Sequence, residues 1–214
     1  MKKIIFSTAL FLFFININVA QIISDKTDNR ERFQFGVRAG LNYSNVYDEQ
    51  GEEFRADAKV GFVGGLFFEL PFGKYFGLQP ELLYSQKGFK GEGVFLFSKY
   101  YFTRTTTYID IPVQLAFKPS EFVTLVVGPQ FSYLISQKDV FTSTPNSYEQ
   151  EQQFKNDNIR KNALGVIGGF NINIKHFVIG ARVAWDIQEN RGDGSSVTPR
   201  YKNTYFQGTI GLKI

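Results

Sequence analysis

Apolar and polar residues alternate with a period of two along eight separate segments of this chain. In the first, Phe33, Phe35, Val37, Ala39, Leu41 and Tyr43 share one face, and Gln34, Gly36, Arg38, Gly40 and Asn42 the other. The second sets Val60, Phe62, Leu66, Phe68 and Leu70 against Lys59, Gly61, Gly65 and Glu69. The third, back to Tyr75, sets Leu78, Pro80, Leu82 and Tyr84 against Gln79, Glu81, Ser85 and Lys87, with Leu83 out of pattern. The fourth sets Ile109, Ile111, Val113, Leu115 and Phe117 against Tyr108, Asp110, Gln114 and Lys118. Similar alternation covers Val123 to Ile135, Leu164 to Ile174, Phe177 to Gln188 and Phe206 to Ile214. Period two predicts strands, here about 10–14 residues long, where a tilted membrane strand needs about 9–11 and a soluble one is usually about 5–6.

The connections alternate as well. Short turns at 71–74, 119–121 and 175–176 take turns with long polar stretches at 44–58, 88–104, 136–161 and 189–202. An up-and-down membrane barrel has short periplasmic turns, long outer loops and an apolar outer face on every strand. A soluble eight-stranded barrel needs neither all its long loops at one end nor apolar exteriors throughout. The fold class expected is therefore all-β: an eight-stranded antiparallel up-and-down transmembrane β-barrel. Eight strands enclose a lumen that side chains fill.

Upstream of the strands, Lys2 and Lys3 precede a nearly unbroken apolar run over 4–15, which is short for a membrane helix. This predicts a signal peptide over 1–20, cleaved after Ala20 although Asn18 is not the small residue preferred at −3, then a polar linker over 21–32 and a barrel over 33–214. The expected location is the outer membrane. No Cys is present, so neither a lipidated cysteine nor a disulfide framework is available. Without Lys2 and Lys3, 22 basic residues face 20 acidic ones, a balance that carries no nucleic-acid signal. Aromatic residues reach 17%, including 24 Phe and 11 Tyr, which suits aromatic belts at two membrane boundaries.

Two local features qualify the strand reading. Gly61, Gly64 and Gly65 echo Gly165, Gly168 and Gly169, but no helix and no Gly-Lys-Ser/Thr ending follows, so a nucleotide loop is excluded. Gly61, Gly65, Gly165 and Gly169 fall on the lumen face, where small residues make room for long ones opposite. Pro80, Pro112 and Pro129 each remove a ladder donor inside a strand, and bulges are expected there.

LQPELLYSQKG (78–88), YIDIPVQLAFKP (108–119), VVGPQFSYLIS (126–136), FVIGARVAWDI (177–187) and FQGTIGLKI (206–214) resemble the small outer-membrane β-barrel family that includes PorT-like proteins, best known from Bacteroidota. The resemblance covers 33–214, departs at Ile214 from the terminal aromatic common in other bacterial barrels, and supplies no catalytic or ligand residue. It implies a Gram-negative envelope protein, and one branch of the family implies a role in protein secretion.

Candidate chemistry is sparse. The charges expected to face inward are Arg38, Glu81, Asp110 and Arg182, read as an Arg–carboxylate network plugging the lumen. His176 is the sole histidine and lies in a two-residue turn, which excludes a serine–histidine–aspartate site and, with no Cys, a zinc site. No catalysis, cofactor or metal is expected; the acidic stretch 48–53 reads as a solvated loop. The stretch 88–104 mixes aromatic and basic residues, and Phe95, Phe97, Lys99, Tyr100, Tyr101 and Arg104 form a candidate contact surface for anionic lipid headgroups or a protein. The alternative is that the strands rise above the membrane and these aromatics cover each other. Three functions follow: interaction or envelope support through the outer loops, an accessory of protein secretion acting through the turns and linker, or a narrow solute channel.

Overall fold

The computed structural model describes residues 28–50, 55–95, 98–143, 146–152, 161–189 and 200–214; the expected signal peptide and most of the linker lie outside them. A 3-10 turn, η1 (Asn29–Glu31), precedes nine strands: β1 (Gln34–Gln50), β2 (Arg55–Pro71), β3 (Phe76–Phe95), β4 (Ser98–Phe117), β5 (Val123–Ser143), β6 (Asn146–Gln152), β7 (Asn162–Ile174), β8 (Phe177–Asp186) and β9 (Arg200–Lys213). Eight of them form a closed antiparallel ring, β1-β2-β3-β4-β5-β7-β8-β9, with β9 pairing back onto β1. The seam runs from Gly36↔Lys213 to Gln50↔Arg200 and is finished by reciprocal backbone bonds between Phe35 and Ile214.

Alternation places every ring strand as the sequence pattern predicts. Ile210 (64% exposed), Phe206 (62%) and Leu41 (57%) point outward, while Thr209, Gln207 and Asn42 beside them are buried. Among the described residues the buried set holds 28 polar or charged side chains and 14 apolar ones, the inverse of a soluble core. An apolar exterior around a polar interior is what a bilayer requires. Phe33, Phe72, Tyr75, Phe76, Phe122 and Phe177 ring the short-turn end, where amphipathic and aromatic side chains sit at the headgroup level.

The structure departs from the expected elements in four places. Much of 44–58 and 88–104 is strand, since β1 reaches Gln50 and the β3–β4 hairpin continues to Phe95↔Ser98. Beyond the membrane both faces of this hairpin lack the lipid-facing pattern, so its Thr- and aromatic-rich sequence is strand-forming without alternating. Next, β5 runs on to Ser143 and turns back as β6, which pairs only with β5 among the described residues. The expected proline bulges are absent too: β4–β5 register is the same at Pro112↔Gln130 and Leu115↔Val127, with the pairs between them missing, and Pro129↔Val166 sits in an unbroken ladder. The shifts lie instead at Tyr47/Gln50, Ala58/Val63 and Thr107/Tyr108, where strands leave the apolar band. At the last of these Ile135 is the extra residue, since Thr107 pairs Ser136 and Tyr108 pairs Leu134.

The glycines also act differently from the expectation. A Cβ on Gly65 would fall on the Leu82 carbonyl oxygen of β3, and one on Gly169 on the Ala181 carbonyl oxygen of β8. At Gly65 and Gly169 the neighbouring backbone takes the space, whereas at Gly165 the Asp186 carboxylate also comes within 3.2 Å of such a Cβ. These glycines let the sheet coil tightly enough to close with eight strands.

Candidate functional site: the filled lumen

Inward positions of successive strands stack their charges in tiers along the barrel axis. At the short-turn end Lys118 donates to Glu69 Oε2 at 3.1 Å, and Lys213 lies 3.8 Å from Glu69 Oε1 while donating to Asn173. The turn η1 lies against this mouth. Lys118 reaches the Arg30 carbonyl, Arg30 reaches back to the Lys118 and Pro119 carbonyls, and the Arg30 guanidinium lies 5.6 Å from the Tyr75 ring.

The middle tier unites Arg38, Glu81 and Arg182. Glu81 Oε1 lies 3.0 Å from Arg38 Nη1 and 3.7 Å from Arg182 Nη2, and accepts from Gln79 at 2.6 Å and Gln114 at 2.8 Å. Arg182 also donates to Gln114, Asn171 and the Phe170 carbonyl. Arg38 stacks over Phe67 at 4.4 Å, and none of its N–H groups is aimed well enough at an acceptor to count as a hydrogen bond.

Asp110 is not in that cluster. Its partner is Lys87, at 3.0 Å, one tier further out. Lys87 is fully enclosed, donates to Ser132 and lies 4.7 Å from the rings of both Tyr108 and Tyr205. Tyr205 in turn donates to Gln130, and Asn203 donates to Asp186.

Arg104 corrects the surface reading. It belongs inside, buried against Asp139 and beside the small apolar cluster of Val46, Phe89 and Tyr201. The reason is the extra residue at Ile135, which returns Gln137 and Asp139 to the lumen face and gives Arg104 a carboxylate. Of the other proposed surface residues Tyr101 is 49% exposed, Phe95, Lys99 and Tyr100 belong to the β3–β4 hairpin, and Phe97 lies outside the described residues. Lys87, Glu69, Lys118, Asp186 and Lys213 were legible as inward positions from alternation alone. Asp139 had no such signal because its segment read as a loop.

Outside the wall His176 sits in the β7–β8 turn, its Nδ1 3.2 Å from the Lys213 carbonyl oxygen. Among the described residues no three His, Cys, Asp or Glu side chains are gathered as a metal site. Each of Arg38, Lys87, Arg104, Lys118 and Arg182 has a carboxylate partner inside the barrel.

A closed antiparallel ring with an apolar exterior and an ion-paired interior defines a transmembrane β-barrel. The chain belongs to the outer membrane protein beta-barrel domain family, whose model matches residues 19–190, and is an integral outer-membrane protein. Among solved structures it is similar to Ail, the attachment invasion locus protein of Yersinia pestis, at TM-score 0.45 and 17% identity over 85% of this chain and 98% of that one. Neisserial surface protein A gives 0.46 and 11% over 84% and 97%. The outer membrane protein OprG from Pseudomonas aeruginosa gives 0.47 and 12% over 88% and 99%. No curated protein matches the chain.

Proposed function

We propose that this chain is a non-enzymatic interaction protein that meets partners through the sheet raised by β3, β4, β5 and β6 on the outer side. The observation that carries the reading is the length of that sheet. From Thr107, near the rim of the apolar band, β4 continues to Ser98, roughly 30 Å along the strand at about 3.3 Å per residue. β5 accompanies it to Tyr100↔Ser143, whereas β7 begins at Asn162 and β8 ends at Asp186. One side of the wall thus stands well above the other. Among the described residues β6 has a single neighbour, and a strand edge of this kind accepts a further strand.

Ion pairs across the lumen count against the solute-channel reading, and the enclosed, mutually engaged polar groups support a non-enzymatic one. Export as a precursor cleaved after Ala20 belongs to the same proposal, with outer-membrane lipid and other envelope proteins as partners. A second reading, a PorT-like secretion accessory of Bacteroidota type, is favoured by one observation: η1 is docked on the short-turn end of the barrel, through Arg30 and the carbonyls of Lys118 and Pro119.

The test is crosslinking of the tagged protein in its own outer membrane, with mass spectrometry of what is captured. It is run beside a variant in which 92–101 are replaced by Asn-Gly, joining the paired residues Gly91 and Phe102. Loss of the captured partner with unchanged barrel stability supports the outer-sheet reading. Capture that persists, mapping to 28–32 or the turns, overturns it in favour of the secretion accessory.

A further inference from the structure

We propose that the middle of the lumen is an anion site, with a small inorganic anion of chloride size seated on the Arg38 guanidinium. Two guanidiniums share one carboxylate here, so the tier carries a net positive charge deep inside the barrel. Arg104 faces Asp139, while Lys87 faces two carboxylates, Asp110 and Asp186, so that the next tier out carries the opposite excess. Lys118 and Lys213 share Glu69, but at the mouth, where the Arg30 carbonyl adds an acceptor for Lys118.

The two arginines differ in what they leave over. Arg182 is engaged at Nε, Nη1 and Nη2. Arg38 has a side chain only 1% exposed; its Nη1 is ion-paired with Glu81 at 3.0 Å, and its Nε and Nη2 have no hydrogen-bond acceptor. Phe67 covers a face of its plane, whereas guanidinium donors point outward within that plane. Arg38 is opposite Gly65 on β2 and Gly211 on β9; the Leu82 carbonyl oxygen stands at Gly65, and the Phe67 ring beside Gly211. A desolvated cation with unmet donors is costly, and an anion meets both the charge and the donors. Glu81 Oε2 and Gln207 Oε1, which lack donors, are suited to water and mark the competing occupant.

The full-length protein, crystallised from sodium bromide, is expected to show an anomalous peak within hydrogen-bond reach of Arg38. In detergent its Tm is expected to climb with the logarithm of chloride concentration, against sodium gluconate at equal ionic strength. Arg38→Gln removes both effects, while Lys118→Gln, at the mouth, leaves them. Water density without an anomalous peak, a Tm indifferent to the anion, or a peak that survives Arg38→Gln each overturns the proposal. If Arg38→Gln does not fold, the bromide peak and chloride titration of the unaltered protein decide alone.

Discussion

Arg104 and Asp139 meet in a two-point contact inside the wall, Nε to Oδ1 at 2.9 Å and Nη2 to Oδ2 at 2.8 Å. They close the outer end of the lumen beyond the Lys87 tier. Breaking a buried pair by neutralising one member strands the other, at a typical cost of about 3–5 kcal/mol. Asp139→Asn is therefore expected to lower the unfolding free energy of the detergent-folded protein, read from urea titration, by that order. Replacing both residues by leucine recovers most of the loss.

A parallel double-mutant cycle addresses Lys87 and Asp110. Lys87→Met leaves Asp110 without its cation, and Asp110→Asn leaves the ammonium with Ser132 and two tyrosine rings. The pair is expected to show a coupling energy of about 1–3 kcal/mol in unfolding experiments. Strict additivity would mean that the two side chains do not sense each other.

Glycine positions separate the two faces of the wall. Gly65→Ala puts a methyl group onto the Leu82 carbonyl and is expected to cost about 1–3 kcal/mol by overpacking, seen as a smaller fraction of heat-modifiable, folded protein on gels. Gly208 points outward with open space around it, and Gly208→Ala is expected to fold as well as the parent.

Lipid contact is tested at Ile210, among the most exposed apolar side chains. Ile210→Arg is expected to destabilise folding into bilayers, by less than the about 2–4 kcal/mol of the midplane, because Ile210 pairs with Ile179, two residues from Phe177 at the short-turn end. A neutral effect would count against a membrane-facing surface there.

The N-terminal turn makes a pH prediction. A side-chain hydrogen bond from Arg30 holds the Asp28 carboxyl well below the usual carboxylate range, helped by the Arg30 backbone N–H and by the charges of Arg30 and Lys74. A carboxyl depressed in the folded state contributes stability above its unfolded pKa of about 3.9 and loses it as pH falls toward the folded value. Protection of 28–32 from hydrogen exchange is expected to be flat from neutral pH to about 4 and to decline below it. Asp28→Asn removes the dependence.

Alternation made inside and outside legible for all eight ring strands because lipid on one side and a polar lumen on the other impose opposite chemistry on neighbouring residues. Even Leu83, which broke the polar row, is buried at the inward position its number assigns. That signal fades where lipid ends. Residues 98–107 are strand, yet their sequence, SKYYFTRTTT, shows no period, and Arg104 therefore read as exposed. Depth was legible by counting from the short turns, which sets Arg38, Glu81 and Arg182 at one level and Asp110 higher, but the partner of Asp110 was not. Asp110 came to lie with Lys87 and not with an arginine through the relative stagger of β3 and β4, set at pairs such as Leu83↔Asp110.

The seam between β1 and β9 dictates an order of assembly. Gln207 donates to Asn42 across 165 residues of sequence, and Lys213, Arg182 and Tyr205, from the last two strands, complete three of the tiers. Until those strands arrive, Arg38, Glu81 and Lys87 line an open trough, and a trough cannot sit in hydrocarbon with its ions uncovered. The early strands are therefore stable in the bilayer only once the late ones are in place. Insertion is expected to be a single concerted event that waits on the C-terminal strands, and a chain cut before β8 to stay out of the bilayer.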